Sequence, residues 1–306
     1  MISLKFSAAK WALVFSVVFS MLPLKAYAEP KWPLPEGVKS VEVNGYDMAY
    51  WEFGSGPPVV LVHGSVNDYR VWNSQVTEFS KKYQVIALSL RHYFPEMWDG
   101  HGDDYSIESH GADVAAFITK LNLGKVHLLG HSRGGAVVLD VAKKHPESIR
   151  TLILEDSSGL ESLLPDTPES QRLAEEGRQG RDTLARNLAS GNVDLAAQVY
   201  IDWLGGPGTW AKRTSDQKRI VLDNLGTASR SDVRPVTTCE QIAKFDFPIL
   251  LVNGERSPKR YAAMFAAMRK CKDIAEPTII PNAAHAMNRE NPTAFNTAVL
   301  NFLDQN

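Results

Sequence analysis

The 306-residue chain is 44% hydrophobic and 22% charged, with 33 basic against 35 acidic residues and a formal net charge of −2. That balance gives no reason to propose nucleic acid or an anionic membrane as a partner. The only cysteines, Cys239 and Cys271, have no metal-ligand spacing, which leaves a disulfide or two separately buried thiols as open readings.

The chain begins with Lys5 and Lys10, an apolar stretch over 11–24, and Ala26-Tyr27-Ala28 before Glu29. This is the pattern of an export signal spanning 1–28. About 14 apolar residues interrupted by Pro23 fall short of the roughly 20 that a membrane span needs. Cleavage there removes three lysines and no acid, moves the net charge from −2 to −5, and implies a periplasmic or secreted protein. The remaining length suffices for one large core. Segments 40–43 and 48–53 flank Asn44-Gly45 as an antiparallel hairpin. Short β-branched runs follow at 59–62, 85–90, 126–129, 151–155, 249–252 and 278–280, nearly all apolar, as strands buried on both faces should be. Helical periodicity lies between them, clearest in Val114, Phe117, Ile118 and Leu121, and in Phe295, Val299, Phe302 and Leu303. Alternating strands and helices predict an α/β fold with a doubly wound, mostly parallel eight-stranded sheet. From 159 to 235 the alternation stops and the sequence turns polar and helix-rich. This predicts a helical cap inserted after strand six, between core segments 29–158 and 236–306.

Three features along this frame point to chemistry. Gly130-His131-Ser132-Arg133-Gly134 follows an apolar run and precedes a small-residue helical stretch, a G-x-S-x-G at a sharp strand-to-helix turn. Pro57-Pro58 opens the run that ends in His63-Gly64-Ser65. Far downstream, Ile279-Ile280-Pro281-Asn282-Ala283-Ala284-His285 is a strand and a loop ending in histidine, with a helix starting near Pro292. In that order and spacing, the three features resemble the α/β-hydrolase superfamily from about Val38 onward.

The resemblance implies an acyl-transfer site. Serine is a weak nucleophile at neutral pH, so Ser132 needs a base, for which His285 is the candidate. The backbone N–H groups of Ser65 and Arg133 are expected to form the oxyanion hole. The Arg133 guanidinium is read either as a carboxylate ligand or as the partner of a nearby acid. The third member departs from the common pattern: Ser257 occupies the slot where many relatives carry an aspartate. Asp156, at the end of strand six as in haloalkane dehalogenases, is the expected acid, and Glu255 is the alternative. A serine at the elbow argues against dehalogenase and epoxide-hydrolase chemistry, which needs a carboxylate there.

The aromatic segments Asp68-Tyr69-Arg70 with Trp72, and Arg91-His92-Tyr93-Phe94 with Trp98, emerge at the carboxyl edge of the sheet, where they line a ligand site or pack loops. Tyr200, Trp203 and Trp210 divide between cap core and pocket wall. The predicted activity is hydrolysis of a small-molecule ester, thioester or lactone through an acyl-enzyme, with no metal or organic cofactor implied. Carbon-carbon bond cleavage on the same scaffold and a slow-turnover ligand sensor are the alternatives.

Overall fold

The computed structural model describes residues 32–98, 100–229 and 233–306, and the export signal expected over 1–28 lies outside the described residues. Among the described residues there are eight strands: β1 (Lys39–Val43), β2 (Tyr46–Phe53), β3 (Pro58–Val62), β4 (Gln84–Leu88), β5 (Val126–His131), β6 (Ile149–Glu155), β7 (Ile249–Gly254) and β8 (Thr278–Ile280). They form one sheet in the order β1-β2-β4-β3-β5-β6-β7-β8. The β1–β2 hairpin turns at Asn44-Gly45 and joins the sheet antiparallel to β4, and every pairing from β4 to β8 is parallel.

The helices are α1 (Asn73–Phe79), α2 (Ile107–Lys120), α3 (Arg133–Lys144), α4 (Pro168–Ala189), α5 (Val193–Gly205), α6 (Thr209–Lys212), α7 (Ser215–Asp223), α8 (Cys239–Ala243), α9 (Lys259–Cys271), α10 (Met287–Glu290) and α11 (Pro292–Leu303). Because successive strand residues face opposite sides, each strand feeds two cores. Val60, Val62, Leu128, Leu152 and Leu154 join the layer with α2, α3 and α9. Val59, Leu61, Leu129 and Ile153 join the layer with α1 and α11. The predicted helical stripes fall in α2, with Leu121 as its C-cap, and in α11, where Asn291 caps the helix by accepting from Ala294 N.

Helices α4 to α7 form the cap inserted after β6. The cap has a small core of its own around Leu184, Ala197, Tyr200 and Val221. It is fastened to the sheet by buried polar contacts rather than by apolar area alone. Asn224 Nδ2 donates to Asp68 Oδ2 at 2.6 Å, and Arg70 Nη2 pairs with Asp223 at 2.9 Å while also holding Asp68. These bonds account for Asp68 and Arg70, and Tyr69 and Trp72 are buried in the α1–α11 core layer.

Cys239 and Cys271 are disulfide-bonded, which ties the start of α8 to the end of α9 across a separation of 32 residues. Closing a loop of that length in the unfolded chain removes roughly 3–4 kcal/mol of conformational entropy. Replacing both cysteines by serine is therefore expected to lower the unfolding free energy by about that much, read from urea melts of the two proteins. Superimposable melts would show that the crosslink contributes nothing.

Candidate active site

Strand β5 ends in a turn that holds Ser132 at φ 53° and ψ −117°, a backbone region that L residues rarely adopt. Two close crossings make the turn possible. A Cβ on Gly130 would lie 2.5 Å from Gly134 O, and one on Gly134 would lie 2.4 Å from the carbonyl oxygens of Val62 and His63. Glycine at both positions lets α3 pass against β3 with backbone in contact. The strained residue is clamped on both sides: Ser132 N donates to Glu155 O, and Ser132 O accepts from Gly135 N and Ser158 N, all at 2.9–3.0 Å.

Beside the elbow, His63 ties the end of β3 to the segment after β4. Its Nε2 accepts from Leu90 N at 3.0 Å and its Nδ1 donates to Gly64 O at 2.8 Å. Burial lowers its pKa to about 3, so the ring is a neutral strut for the loop that presents Ser65. Ser65 and Ser132 line the same cleft, and Arg133 N stands at the first position of α3. The Arg133 guanidinium points elsewhere: it lies 4.4 Å over the Tyr105 ring, with Nη1 2.7 Å from His110 Nδ1.

Asp156 leaves β6 at φ 38°, and its Oδ2 lies 2.9 Å from His285 Nδ1. Asn253 Nδ2 donates to the other oxygen at 2.7 Å. Burial pushes the Asp156 carboxyl up to about 7, against hydrogen bonds from Ser257 and Asn253 and the positive charge of Arg260, which pull it down. Ser257, in the slot the resemblance assigns to an acid, thus supports Asp156 instead of replacing it. Glu255 is not brought to His285: its carboxylate faces outward and accepts from Asn282 N at 2.7 Å. Sequence alone named Asp156 with Glu255 as the alternative, and adjacency of the β6 and β7 tips separates them.

His285 is buried, with its carbonyl 2.8 Å from His131 Nε2. Burial first, then the charges of Arg260, Arg289 and Arg213, hold its pKa well below the usual imidazole range. With Nδ1–H donated to Asp156, the neutral ring leaves Nε2 as an acceptor on the cleft side. The Tyr261 ring stacks on the imidazole at 4.7 Å between centroids, its hydroxyl 3.4 Å from Nε2 and 2.9 Å from Arg260 Nη2.

The cleft is walled by Ser65, Asn67, Ser132, Tyr200, Arg213, His285, Arg289 and Glu290 among others. Of the cap aromatics, Tyr200 lines it, whereas Trp203 and Trp210 pack in the cap core under Arg260 and Lys218. The aromatic segment after β4 packs the fold and does not line the cleft. Arg91 pairs with Asp113 and Asp104, and His92 sits between Glu96 and Asp104. Tyr93 is buried in the core and Phe94 lies beneath Arg70. Sequence reading missed Arg213, Arg289 and Tyr261, which belong to no motif. The only signal was the position of Arg289, four residues beyond His285.

A family model described as alpha/beta hydrolase fold matches residues 57–292. The (E)-2-((N-methylformamido)methylene)succinate hydrolase of Acinetobacter baylyi is 25% identical over 274 residues, covering 85% of this chain and 95% of that protein. The 2-hydroxy-6-oxo-2,4-heptadienoate hydrolase of Pseudomonas putida is 34% identical over 132 residues, 42% of this chain and 47% of that one. Among solved structures, a carboxylesterase from Bacillus subtilis superposes with a TM-score of 0.71 over 90% of this chain and 94% of its own, at 18% identity.

Folding raises the Asp156 pKa from 3.8 to about 7. The stability contributed by the protonated carboxyl is therefore full below about pH 4 and is lost as pH rises through 7. Asp156→Asn has no carboxylate to bury, so its stability relative to the wild type is expected to increase between pH 5 and 8, followed by denaturant melts. Its turnover should fall by about 10,000-fold, because the amide no longer holds the required His285 tautomer. A pH-independent stability difference would contradict the buried-acid assignment.

Proposed function

The chain belongs to the alpha/beta hydrolase fold family, and from that premise we propose that it is a serine hydrolase acting on a small-molecule ester, thioester or lactone. The observation that carries the proposal is one cleft holding a serine at a clamped, positive-φ elbow and a histidine whose far nitrogen is 2.9 Å from a buried carboxylate. Ser132 Oγ attacks the carbonyl carbon as His285 Nε2 takes its proton. The oxyanion is met by the N–H groups of Ser65 and Arg133. His285 then protonates the leaving group, and water, deprotonated by the same nitrogen, releases the acyl group from Ser132. Asp156 holds the imidazole in the required tautomer and faces the imidazolium as it forms.

A second reading, carbon-carbon bond hydrolysis, draws on the partial match to the Pseudomonas putida hydrolase named above. It needs the same serine and histidine, and a vinylogous diketone offered beside a simple ester distinguishes the two. Location in the periplasm or outside the cell is part of the proposal, supported by the leader pattern over 1–28 and by the disulfide, which is at home in an oxidising compartment. No helix among the described residues is long and apolar enough to cross a membrane.

A fluorophosphonate probe, read by intact mass and peptide mapping, tests the proposal directly. It is expected to label Ser132 in the wild type and in Glu255→Gln and to leave Ser132→Ala unmodified. Labelling of His285→Ala should slow at least ~1,000-fold. A wild type that stays unlabelled would exclude an activated serine and favour a binding protein.

A further inference from the structure

Two arginines wall the Ser132 cleft without an acidic partner. Arg213 stands on the turn between α6 and α7 of the cap, and its buried Nη1 has no hydrogen-bond partner in the protein. Arg289 stands on α10 and makes one 3.3 Å hydrogen bond from Nη1 to the neutral amide oxygen of Asn67. Among the described residues neither has an ion-pair partner within 4.0 Å. The arginines that hold the fold together differ: Arg70 pairs with Asp68 and Asp223, and Arg91 with Asp113 and Asp104.

Burying a guanidinium without a counter-charge is costly. Burial, and then the like charge of Arg289, lowers Arg213 to about 9, and burial lowers Arg289 as well. An anionic ligand would supply what the protein does not.

We propose that Arg213 and Arg289 form a carboxylate-binding subsite, so that the substrate is an ester bearing a second, ionised carboxyl group. The inference rests on the serine-hydrolase reading above and adds the substrate class. A planar guanidinium offers paired N–H donors in the geometry that a carboxylate accepts. The charge count favours a carboxylate over a phosphate dianion. Glu290 lines the same wall, its carboxylate accepting from Ala284 N at 2.7 Å. Asp202 also acts on Arg213, and Glu155 and Asp68 act on Arg289, as Glu290 does on both, so the pair keeps little net positive charge, enough for one carboxylate. Because the cap supplies Arg213 and the core supplies Arg289, the ligand would bridge the two parts across the entrance to Ser132.

The test uses matched esters that differ only in charge. Mono-4-nitrophenyl adipate and 4-nitrophenyl hexanoate place a carboxylate or a methyl group at the end of the acyl chain. 4-Acetoxybenzoate and its methyl ester do the same on the alcohol side. The wild type is expected to prefer the charged member of at least one pair. Arg213→Met and Arg289→Met are each expected to cut that preference by about 10- to 100-fold, chiefly through KM, the loss typical of a charge-assisted hydrogen bond. Arg213→Met should also be at least as stable as the wild type, whereas a merely structural arginine would cost stability and leave the preference unchanged.

Calorimetric titration of Ser132→Ala with adipate reads the subsite without turnover, and inorganic phosphate serves as the competing anion. Adipate binding that is lost in Ser132→Ala/Arg213→Met supports the subsite even if fluorophosphonate labelling fails and the hydrolase reading falls. No charge preference in either pair, a preference that survives in both arginine variants, or binding of phosphate but not adipate would overturn the proposal.

Discussion

The contact on which the rest of the site depends is the 2.9 Å hydrogen bond between His285 and Asp156. It joins the tip of β6 to a loop that begins after the last strand, so it exists only when the parallel half of the sheet is fully assembled. Its acid is buried and raised in pKa, and is kept in place by donors from Asn253 and Ser257. A bare carboxylate in that position would protonate and release the imidazole. The adjacent residue extends the same control: Glu155 Oε1 accepts from Asn288 N at 3.2 Å, which sets α10 against the strand end. Two consecutive carboxyl groups on β6 thereby position both His285 and the short helix that carries Arg289.

Electrostatics around that contact work in opposite directions. Arg213, Arg260 and Arg289 all lower the proton affinity of His285, which keeps the ring neutral in the resting protein but also disfavours the imidazolium of the reaction. Asp156 Oδ2 stands 2.9 Å from Nδ1 on the other side of that balance. A bound carboxylate on Arg213 and Arg289 would shift the balance further, cancelling positive charge near His285 just when its proton is to be taken up. Substrate charge and the basicity of His285 are linked in this arrangement.

The frame and half of the site were legible in the sequence, for a local reason. Strands such as Val59–Val62 and Val126–Leu129 are contiguous apolar runs, and the demand for glycine at Gly130 and Gly134 arises within five residues of Ser132. Asp156 was legible as the expected acid, with Glu255 beside it as an alternative. Choosing between it and Glu255 required knowing which strand tips are neighbours and that Glu255 turns outward to Asn282. The arginines were not legible at all. Arg213 and Arg289 lie 76 residues apart in segments with no motif, and what distinguishes them is the lack of an ion pair within 4.0 Å among the described residues. The aromatic segments, read as either pocket lining or loop packing, proved to be packing. Composition at a sheet edge does not reveal which side chains turn inward, and Trp72, Tyr69 and Tyr93 turn into the core.

The cap and the oxyanion loop share one support. Asp68 and Arg70, immediately after that loop, hold Asn224 and Asp223 at the end of α7. One residue earlier, Asn67 donates to Ser65 O at 2.8 Å and accepts from Arg289. Any displacement of α7 therefore pulls on the loop that carries Ser65, whose N–H is one of the two oxyanion donors in the proposed mechanism. A ligand that draws Arg213 of the cap and Arg289 of the core together would tighten the same chain of contacts. Recognition at the far end of the substrate and orientation of the oxyanion donor would then be a single mechanical event, with Asn67 as the joint between them.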